Sequence, residues 1–368
     1  NCRVIARNSE GVPVSLQWGE QMFGIQFHPE VTHSHEGRTI LKNFLSYATN
    51  LAKFDIGDFK RELIEDIRAK VGDKQVVCGV SGGVDSTVLA VLLHEAGVNV
   101  RCIFVDNGLL RKDEAKEVQA NFERMGVKIE TVDASERFLA ALAGETAPEK
   151  KRRIIGNLFI DVFWDAVGDA EMLAQGTLYP DVIESASNAK SKASVIKTHH
   201  NRVERVLKMQ EEGKVIEPLA FLFKDEVREL GASMGISHDI LWRHPFPGPG
   251  LAVRCPGEVT KERLDIIREC DAIFIGTLRK WDWYDKCWQA YAGLIPVKTV
   301  GVKGDERSYE FATNLRAIVS EDAMTADWVQ LPYELLREAS NRILNEVSGI
   351  NRVLYDVSTK PPASIEWE

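Results

Sequence analysis

The sequence has no cysteines spaced closely enough to form a metal-binding or redox pair. Its six cysteines are scattered along 368 residues, and no CxxC pattern occurs. This excludes a zinc site built on paired cysteines and a disulfide scaffold, and it favours a reducing cytoplasm. No apolar run approaches the roughly 20 residues that a membrane-spanning helix needs, and no signal peptide is apparent at Asn1. We therefore expect a cytoplasmic protein without a membrane partner.

The chain also lacks an excess of positive charge. Its 46 lysines and arginines stand against 55 aspartates and glutamates, which gives a net charge of -9. This balance opposes broad coating of a nucleic-acid backbone, so no nucleic-acid partner is expected. The composition, 44% hydrophobic and 27% charged, is that of a globular protein. The length predicts more than one domain.

Residues 1–52 carry three short β patterns followed by one amphipathic helix. The β patterns cover Cys2–Ala6, Val12–Trp18 and Phe23–Phe27, and the helix pattern covers Glu36–Tyr47. So few elements cannot bury much core by themselves. Because the sequence starts inside a β pattern, residues 1–52 are predicted to be the C-terminal part of a larger domain.

Residues 53–244 alternate apolar runs with helical patterns. The runs are Val76–Val80, Val100–Val105, Lys128–Val132 and Met172–Gln175. Continuous apolar strands alternating with helices are typical of an α/β fold with a doubly wound parallel sheet. Its ligand is expected beyond the carboxyl ends of the strands.

A proline- and glycine-rich segment, HPFPGPG at His244–Gly250, marks a linker or a rigid functional loop. Residues 245–368 follow it and predict a separate α+β domain. Helices are expected at Lys261–Leu278 and Pro332–Val347, and strands at Val297–Val302 and Leu315–Val319.

The most informative motif follows the first apolar run. It consists of Ser81, Gly82, Gly83, Val84, Asp85, Ser86 and Thr87, with a helix starting at once. Two glycines can turn backbone N–H groups towards an anion, the three hydroxyls are further donors, and the helix N-terminus adds positive charge. The alternative is a tight strand–helix turn with a serine or aspartate cap. The spacing does not match GxxxxGK[ST], so this is not a Walker A loop.

This string, SGGVDST, resembles the PP-loop of the ATP pyrophosphatase family. The resemblance implies that Ser81–Thr87 bind the pyrophosphate of ATP and that Val105 flanks the adenosine. It also implies cleavage of ATP between its α- and β-phosphates, with an adenylylated oxygen as the intermediate. Asp85 is then a Mg²⁺ ligand, since hard carboxylate oxygen suits that ion. Otherwise Asp85 only caps the following helix.

Further segments resemble the GMP synthetase family within that group. They are FVDNGLLR, AQGTLYPDVIES, IKTHHN, EPLAFLFKDEVRELG, RHPFPGPGLAVR, GVKGDERSYE, DAMTADW and KPPASIEWE, in the family's order. The resemblance implies that XMP is adenylylated by ATP and aminated to GMP by ammonia, which glutamine supplies in the complete enzyme. It also implies a homodimer formed by residues 245–368. The charged, helix-like Arg202–Glu212 departs from the family pattern.

The same resemblance supplies site residues. Lys224 would reach the ATP phosphates, although it could be an exposed lysine at a helix start. The XMP site would comprise Arg153, Pro247, Gly248, Gly250, Asp305, Arg307, Lys360 and Glu366. Asp305 and Arg307 are expected to share a strand face, or to form a turn ion pair. Lys360 and Glu366 lie in the last nine residues, where a disordered tail is the default. His199 and His200 could be polar residues near the nucleotide.

The string GIQFHPE places His28 and Glu30 two residues apart at a strand end. A lone HxE string can be a surface loop, but here it resembles the His and Glu of class I glutamine amidotransferases, which activate a cysteine. Cys2 lacks the expected GxCxG surroundings. The nucleophile is therefore predicted to be absent from these residues, which leaves the chain dependent on free ammonia.

Two rival functions remain at this point. One is a tRNA-modifying enzyme with the same glycine loop, which the missing CxxC pair and the negative charge oppose. The other is a regulatory nucleotide-binding module with an inactive loop, which the intact loop and Lys224 oppose.

Overall fold

The computed structural model describes residues 2–30, 34–47, 55–188, 200–303, 305–320 and 323–368. The chain divides into two compact units, Asn1–Asp55 and Ile56–Glu368. His199 lies outside the described residues, as does the side chain of His200. Among the described residues, no helix is both long and apolar enough to cross a membrane.

The first unit is a small antiparallel sheet with one helix. Strands β1 (Cys2–Arg7), β2 (Pro13–Trp18) and β3 (Met22–Ile25) pair in that order, and helix α1 spans Gly37–Leu45. This confirms the three predicted strands and the predicted helix. Many of the unit's large apolar side chains are exposed, among them Met22 and Phe44. The unit alone therefore buries little apolar surface.

The second unit contains the predicted parallel sheet. Its strands are β4 (Val76–Val80), β5 (Val100–Asp106), β6 (Ile129–Asp133), β7 (Met172–Ala174) and β8 (Val215–Ile216), in the order β6-β5-β4-β7-β8. The chain runs outward from β4 to β5 and β6, then returns to β7 on the other side of β4. This reversal is the point where α/β sheets open a ligand crevice beyond their strand ends.

Helices surround this sheet. They are α2 (Ile56–Val71), α3 (Val84–Glu95), α4 (Glu114–Arg124), α5 (Ser135–Leu142), α6 (Pro148–Val167), α7 (Tyr179–Asn188), α8 (His200–Glu211), α9 (Lys224–Ser233) and α10 (His238–Leu241). Helix α8 confirms the helical character predicted for the atypical charged segment.

A second sheet follows the proline-rich loop. It contains β9 (Gln289–Lys303), β10 (Glu306–Val319), β11 (Asp327–Trp328) and β12 (Ile350–Tyr355), flanked by α11 (Lys261–Lys280) and α12 (Tyr333–Glu346). Strands β9 and β10 form a long antiparallel hairpin, while β12 runs parallel to β10. Both strands of the hairpin are longer than predicted. The part of β9 that the sequence does not reveal is Ala290–Leu294, rich in alanine and glycine, which are poor strand formers.

One hydrophobic core connects the two sheets of the second unit. It joins Val77 and Ile103 of the parallel sheet to Phe274 of α11 and Leu315 of β10, all nearly inaccessible to solvent. The opposite face of the parallel sheet packs under α3 and α9 in a separate cluster. Because apolar burial is the main favourable term in folding, this shared core holds the elements around the loop at residues 244–250 in fixed positions.

Candidate active site

A cavity of about 580 Å³ opens beyond the carboxyl ends of β4 and β5. Its walls come from the glycine loop, α6, α9 and the proline-rich loop. The lining residues are Val80 to Asp85, Phe104, Val105, Asn107, Leu110, Glu114, Arg152, Ile155, Gly156, Phe159, Lys224, Arg228 and Arg243 to Gly250. The glycine loop and the proline-rich loop, predicted separately, therefore line one cavity.

The glycine loop turns sharply between β4 and α3. Gly82 has a φ of +73°, and a Cβ there would lie 2.5 Å from Cγ2 of Val118, so only glycine fits. Gly83 is the N-cap of α3 in an extended conformation and offers no side chain to its N–H groups. The first turn of α3 thus presents backbone donors and the positive end of its dipole to the cavity.

The loop's hydroxyl groups divide between ligand-facing and structural positions. The Thr87 hydroxyl donates to the Gly83 carbonyl over 2.7 Å, and Thr87 is only 2% exposed. Ser86 Oγ accepts from the Ser81 N–H at 3.1 Å and reaches the same Gly83 carbonyl. Only Ser81 of the three lines the cavity. Ser86 and Thr87 therefore shape the loop, and their contact with phosphate stays a prediction.

Asp85 and Lys224 meet in the cavity, although 139 residues separate them. Lys224 Nζ donates to both Asp85 carboxylate oxygens, at 2.7 and 2.5 Å. Lys224 is the first residue of α9, where a cation opposes the helix dipole. The pair is 43% and 30% exposed, so a bound anion could reach the lysine and a metal ion the carboxylate.

Three arginines that the sequence did not single out also line the cavity: Arg152, Arg228 and Arg243. The predicted residue, Arg153, is exposed and is not part of this lining. Successive residues of a helix point about 100° apart, so on α6 the cavity-facing position is Arg152. The sequence alone does not fix this choice, because Ile154 and Ile155 are both apolar and only the structure shows that Ile155 is the buried one.

Arg243 connects the two loops of the cavity. Its Nη1 donates to the Gly82 carbonyl over 3.3 Å, and its Nη2 forms an ion pair with Glu114. Glu114, in the first turn of α4, is nearly buried and also accepts from the Arg111 N–H at 2.8 Å. This arginine therefore ties the start of the proline-rich loop to the backbone of the glycine loop.

His244 is held as a neutral residue beside the cavity. Its Nδ1 accepts from the Ala290 N–H at 3.1 Å, which leaves Nε2 to donate to the Tyr284 carbonyl at 3.0 Å. The ring stacks on Tyr284 with centroids 3.8 Å apart. Burial lowers the pKa of His244 to about 4. Both ring nitrogens are occupied, so this histidine is structural.

The proline-rich loop presents backbone to the cavity as expected. Pro247, Gly248 and Gly250 all line it. Gly250 has a φ of +61°, and the following Leu251 N–H donates to the Leu109 carbonyl at 2.8 Å. Two guanidinium groups lie close to the Phe246 ring and help to hold this loop in place.

These guanidinium groups belong to Arg111 and Arg254, 5.0 and 5.1 Å from the Phe246 ring centre. Arg254 is fully buried and forms a two-pronged ion pair with Glu366 at 2.9 and 3.0 Å. Burial acts to lower the pKa of Arg254, but the Glu366 carboxylate outweighs it and raises that pKa.

The last nine residues are ordered and packed. Lys360 Nζ donates to the Ala323 carbonyl at 2.8 Å, and Glu366 accepts from Gln289 as well as Arg254. Neither residue is among those lining the cavity. These residues therefore pack against the rest of the unit instead of forming a free tail, and the contact of Lys360 and Glu366 with XMP stays a prediction.

Asp305 and Arg307 lie at the tip of the β9–β10 hairpin. Arg307 is on β10 opposite Val302, but Asp305 lies in the turn before the strand begins. The expectation that they share a strand face is therefore wrong. Both are exposed and are absent from the cavity lining.

In the first unit, the structure brings His28 and Glu30 together. His28 Nδ1 and Glu30 Oε1 are 2.8 Å apart, and both side chains are largely exposed. A hydrogen bond from its own backbone, followed by the contact with His28, lowers the pKa of Glu30. A carboxylate so placed orients the imidazole and leaves Nε2 available to a reaction partner.

Metal binding has a limited basis in protein side chains. Within the described ranges, no group of three or more His, Cys, Asp or Glu side chains could hold an ion. Mg²⁺ differs from zinc in this respect, because one or two carboxylates suffice when substrate phosphates and waters complete its shell. Asp85, within the glycine loop, fits that pattern.

The parallel sheet and its glycine loop define a nucleotide-binding domain of the HUP type. Residues 74–151 match the family model described as tRNA methyl transferase HUP domain. Residues 276–367 match GMP synthase C terminal domain, and residues 1–48 match Glutamine amidotransferase class-I.

Curated relatives match the chain across nearly its whole length. A GMP synthase [glutamine-hydrolyzing] of Christiangramia forsetii is 54% identical over 95% of this chain and 69% of its own length. One from Azoarcus sp. is 51% identical over 100% of this chain and 71% of that protein. One from Thermosipho melanesiensis is 51% identical over 95% and 69%. The chain belongs to the GMP synthase [glutamine-hydrolyzing] family.

Proposed function

We propose that this chain uses ATP to convert XMP to GMP. The purine carbonyl oxygen of XMP attacks the α-phosphorus of ATP, and pyrophosphate leaves. Ammonia then adds to the activated carbon, AMP leaves with the former carbonyl oxygen, and the lost protons pass to solvent. The observation that carries this proposal is the meeting of the glycine loop, Lys224 and three arginines in one cavity, in a chain of this family.

The residues around the glycine loop suit a leaving pyrophosphate. Ser81 and the first residues of α3, Val84 and Asp85, line the cavity. Lys224 can turn from Asp85 to the phosphates, because both side chains are partly exposed. Preorganised donors of this kind stabilise charge that develops in the transition state. Val105, buried at the end of β5, would border the adenosine.

Mg²⁺ is the proposed metal ion, with Asp85 as its protein ligand. The carboxylate is 30% exposed and lies in the first turn of α3, next to the loop that would hold the phosphates. When bound, the ion would neutralise phosphate charge. Lys224, released from Asp85, would remain as the cation that this chain itself contributes.

The XMP site is proposed where α6 and the proline-rich loop face each other. Arg152 offers a guanidinium to the 5′-phosphate, and Pro247, Gly248 and Gly250 offer backbone. Lys360 and Glu366 support this side through the packed tail. Asp305 and Arg307, at the hairpin tip, can contribute through residues 245–368 of a second copy.

The β9–β10 hairpin supports the proposed homodimer. Val297, Val300, Val302 and Tyr309 are 59%, 52%, 75% and 59% exposed. Four large apolar side chains on one exposed hairpin are costly to leave in water. A second copy covering them would make an isologous interface. Analytical ultracentrifugation of a Val297→Lys, Val302→Lys double variant should give a monomer where the parent chain gives a dimer.

We retain the proposed domain boundaries at 1–52, 53–244 and 245–368. The last boundary falls in the loop between the two sheets, and the first lies close to the division at Asp55.

The cysteines are all free in the described structure, and burial raises the pKa of Cys270 and of Cys287 to about 12. Free cysteines are compatible with a reducing compartment, so the cytoplasm remains the proposed location.

The nitrogen donor is proposed to depend on residues 1–52. His28 and Glu30 are placed as the orienting pair of an amidotransferase, but Cys2 is the one cysteine of this unit and is exposed on β1. Removal of the nucleophile from a catalytic triad leaves little catalysis. A polypeptide made of these 368 residues should therefore use ammonium and not glutamine.

Product analysis tests the proposal directly. The polypeptide is incubated with ATP, MgCl₂, XMP and ammonium at raised pH, and the nucleotides are separated by chromatography. We expect GMP, AMP and pyrophosphate in equal amounts, and no product with EDTA. ADP as the main product would overturn the PP-loop chemistry. Glutamate released from glutamine would overturn the ammonia dependence but leave the synthetase reaction standing.

The rival tRNA-modifying function is supported by the match of residues 74–151 to the tRNA methyl transferase HUP domain. That model covers the glycine-loop domain alone. The relatives' names and the separate match of residues 276–367 both favour GMP synthesis. Replacing XMP with unmodified tRNA in the same assay should leave ATP intact.

A further inference from the structure

Gly156 occupies an unusual place in the wall of the cavity. It is in the interior of α6 (Pro148–Val167), it is exposed, and it lines the cavity. A Cβ built at this position meets no heavy atom within 4 Å. The protein therefore has room for a side chain at this point and does not use it.

A glycine in the interior of a helix destabilises the helix, because glycine loses more backbone conformational entropy on folding than other residues do. Packing explains one such glycine in this chain. At Gly231 of α9, a Cβ would lie 2.5 Å from Leu241 and 2.9 Å from Val88. Gly156 has no such neighbour, so packing within the chain does not account for it.

Gly276 of α11 provides the comparison. It too is exposed in a helix interior with no heavy atom near its Cβ position, but it is not among the cavity-lining residues. The two glycines thus share their helical cost and their open surroundings. They differ in one respect, which is that Gly156 faces the cavity and Gly276 does not.

The neighbours of Gly156 form one stripe along α6. Arg152, Ile155, Gly156 and Phe159 follow the 0, 3, 4, 7 spacing of a helix face, and all four line the cavity. Arg152 is held by the main-chain carbonyl of Glu368. On this face, bare backbone is therefore exposed at Gly156, one turn from Arg152 and one turn from Phe159.

We propose that Gly156 is a specificity-determining residue, against which the flat face of a purine ring of a bound nucleotide lies. This rests on the proposed function, in which both nucleotide substrates carry a purine. A ring can lie flat against a helix only where no Cβ stands between them, and the Phe159 ring one turn further along favours a planar ring system beside it. The phosphates have their own partners at the cations and the glycine loop. The missing Cβ leaves the space that the ring occupies.

Two substitutions test this proposal. Gly156→Ala adds one methyl group to the wall of the cavity, and Gly276→Ala adds the same group to a helix surface outside the cavity. Both should raise the melting temperature by about 1–3 °C, since both remove a helix glycine. Only Gly156→Ala should weaken binding of a purine nucleotide, roughly tenfold, the scale of one methylene in a fitted pocket. Gly156→Val should weaken it further.

Binding is measured by calorimetric titration of XMP and, separately, of a non-hydrolysable ATP analogue. Weakening of XMP alone assigns the ring to the acceptor, and weakening of the ATP analogue alone assigns it to adenine. If Gly156→Ala and Gly156→Val bind both nucleotides as the parent does, the proposal is overturned. Because binding is read without turnover, this outcome is independent of whether the chain makes GMP.

Discussion

The two sides of the cavity use paired charges in opposite ways. At the glycine loop, Lys224 and Asp85 form an ion pair that is 43% and 30% exposed. Behind the proline-rich loop, Arg254–Glu366 and Lys151–Glu368 have cations with no exposure and carboxylates at 13% and 7%. The first pair can exchange partners with phosphate and metal ion. The buried pairs cannot do so without exposing apolar surroundings, so they hold a wall in place.

This contrast determines how the tail should be tested. Arg316, also buried, donates to the carbonyls of Ser358, Ser364 and Ile365 and pairs with Asp356. Deleting residues 360–368 would leave Lys151 and Arg254 buried without their carboxylates. Lost XMP binding in such a deletion would report unfolding as readily as a lost ligand contact. Single substitutions separate the two effects.

The largest effect is expected from Arg254→Ala. It leaves Glu366 nearly buried and without its guanidinium, and breaking such a pair costs about 3–5 kcal/mol. Urea unfolding should show this loss as a lower midpoint. The matched control is Arg342→Ala, whose partner Glu346 is an exposed neighbour one turn away, and its expected loss is far smaller because water screens the pair. Equal losses in both variants would refute the division between buried and exposed pairs.

The second prediction concerns the pH dependence of stability that His244 causes on the buried side of the cavity. Its pKa of about 4 in the fold lies below its ordinary value of 6.5. As the pH falls, His244 therefore takes up a proton in the unfolded chain before it does so in the folded chain. The stability that is present above pH 6.5 is lost as the pH falls towards 4. The full loss is about 3 kcal/mol.

Urea unfolding at a series of pH values checks this. The parent should lose stability over that range, and a His244→Asn variant, less stable at neutral pH, should follow a flatter curve. Parallel curves for the two proteins would assign the pH dependence to other groups.

Sequence reasoning works well for the glycine loop and less well for the far wall. The string from Ser81 to Thr87 is contiguous, and one strand–turn–helix unit determines its geometry. Asp85 and Lys224 were identified because each stands in its own local motif. The parallel sheet follows from strand patterns of four to six residues, whereas the two-residue β8 is too short to leave a pattern.

The far wall depends on contacts between distant parts of the chain. Arg243 reaches Gly82 across 161 residues and Glu114 across 129, and nothing local to Arg243 indicates either partner. The choice between Arg152 and Arg153 depends on a helical phase set by core packing. The sequence does not predict the full length of the β9–β10 hairpin, because Gly293 and its alanine neighbours are held in the strand by burial and not by strand propensity.

The next expected effect is on turnover. Lys224→Ala should lower kcat roughly 10²-fold or more, the scale for one preorganised electrostatic group in a transition state. Asp85→Asn should lower it to a similar extent. Lys261→Ala, an exposed lysine at the first position of α11, is the control and should leave kcat unchanged. A change below about threefold for both site variants would mean that the phosphates lie elsewhere.

The smallest predicted effect, at Arg243, tests whether the two sides act together. Its guanidinium makes two contacts at once, with the Gly82 carbonyl and with Glu114, which a lysine ammonium cannot reproduce as a fork. Loss of the Gly82 contact loosens the loop at the residue whose φ of +73° sets its turn. We expect Arg243→Lys to raise the KM for ATP about tenfold with a smaller change in kcat. Glu114→Gln should act in the same direction, because it weakens the hold on the same guanidinium.

A double-mutant cycle distinguishes this linkage from a simple loss of charge near the phosphates. If Arg243 works through its fixed position, the Arg243→Lys, Glu114→Gln double variant should be little worse than either single variant, since the second change removes a contact already lost. If Arg243 acted only as an independent cation, the two effects on the KM for ATP would multiply. Multiplied effects on the KM for ATP would show that the proline-rich loop and the glycine loop act independently. If the double variant instead has the KM of a single variant, Arg243 is the residue through which the rigid side of the cavity positions the side that binds ATP.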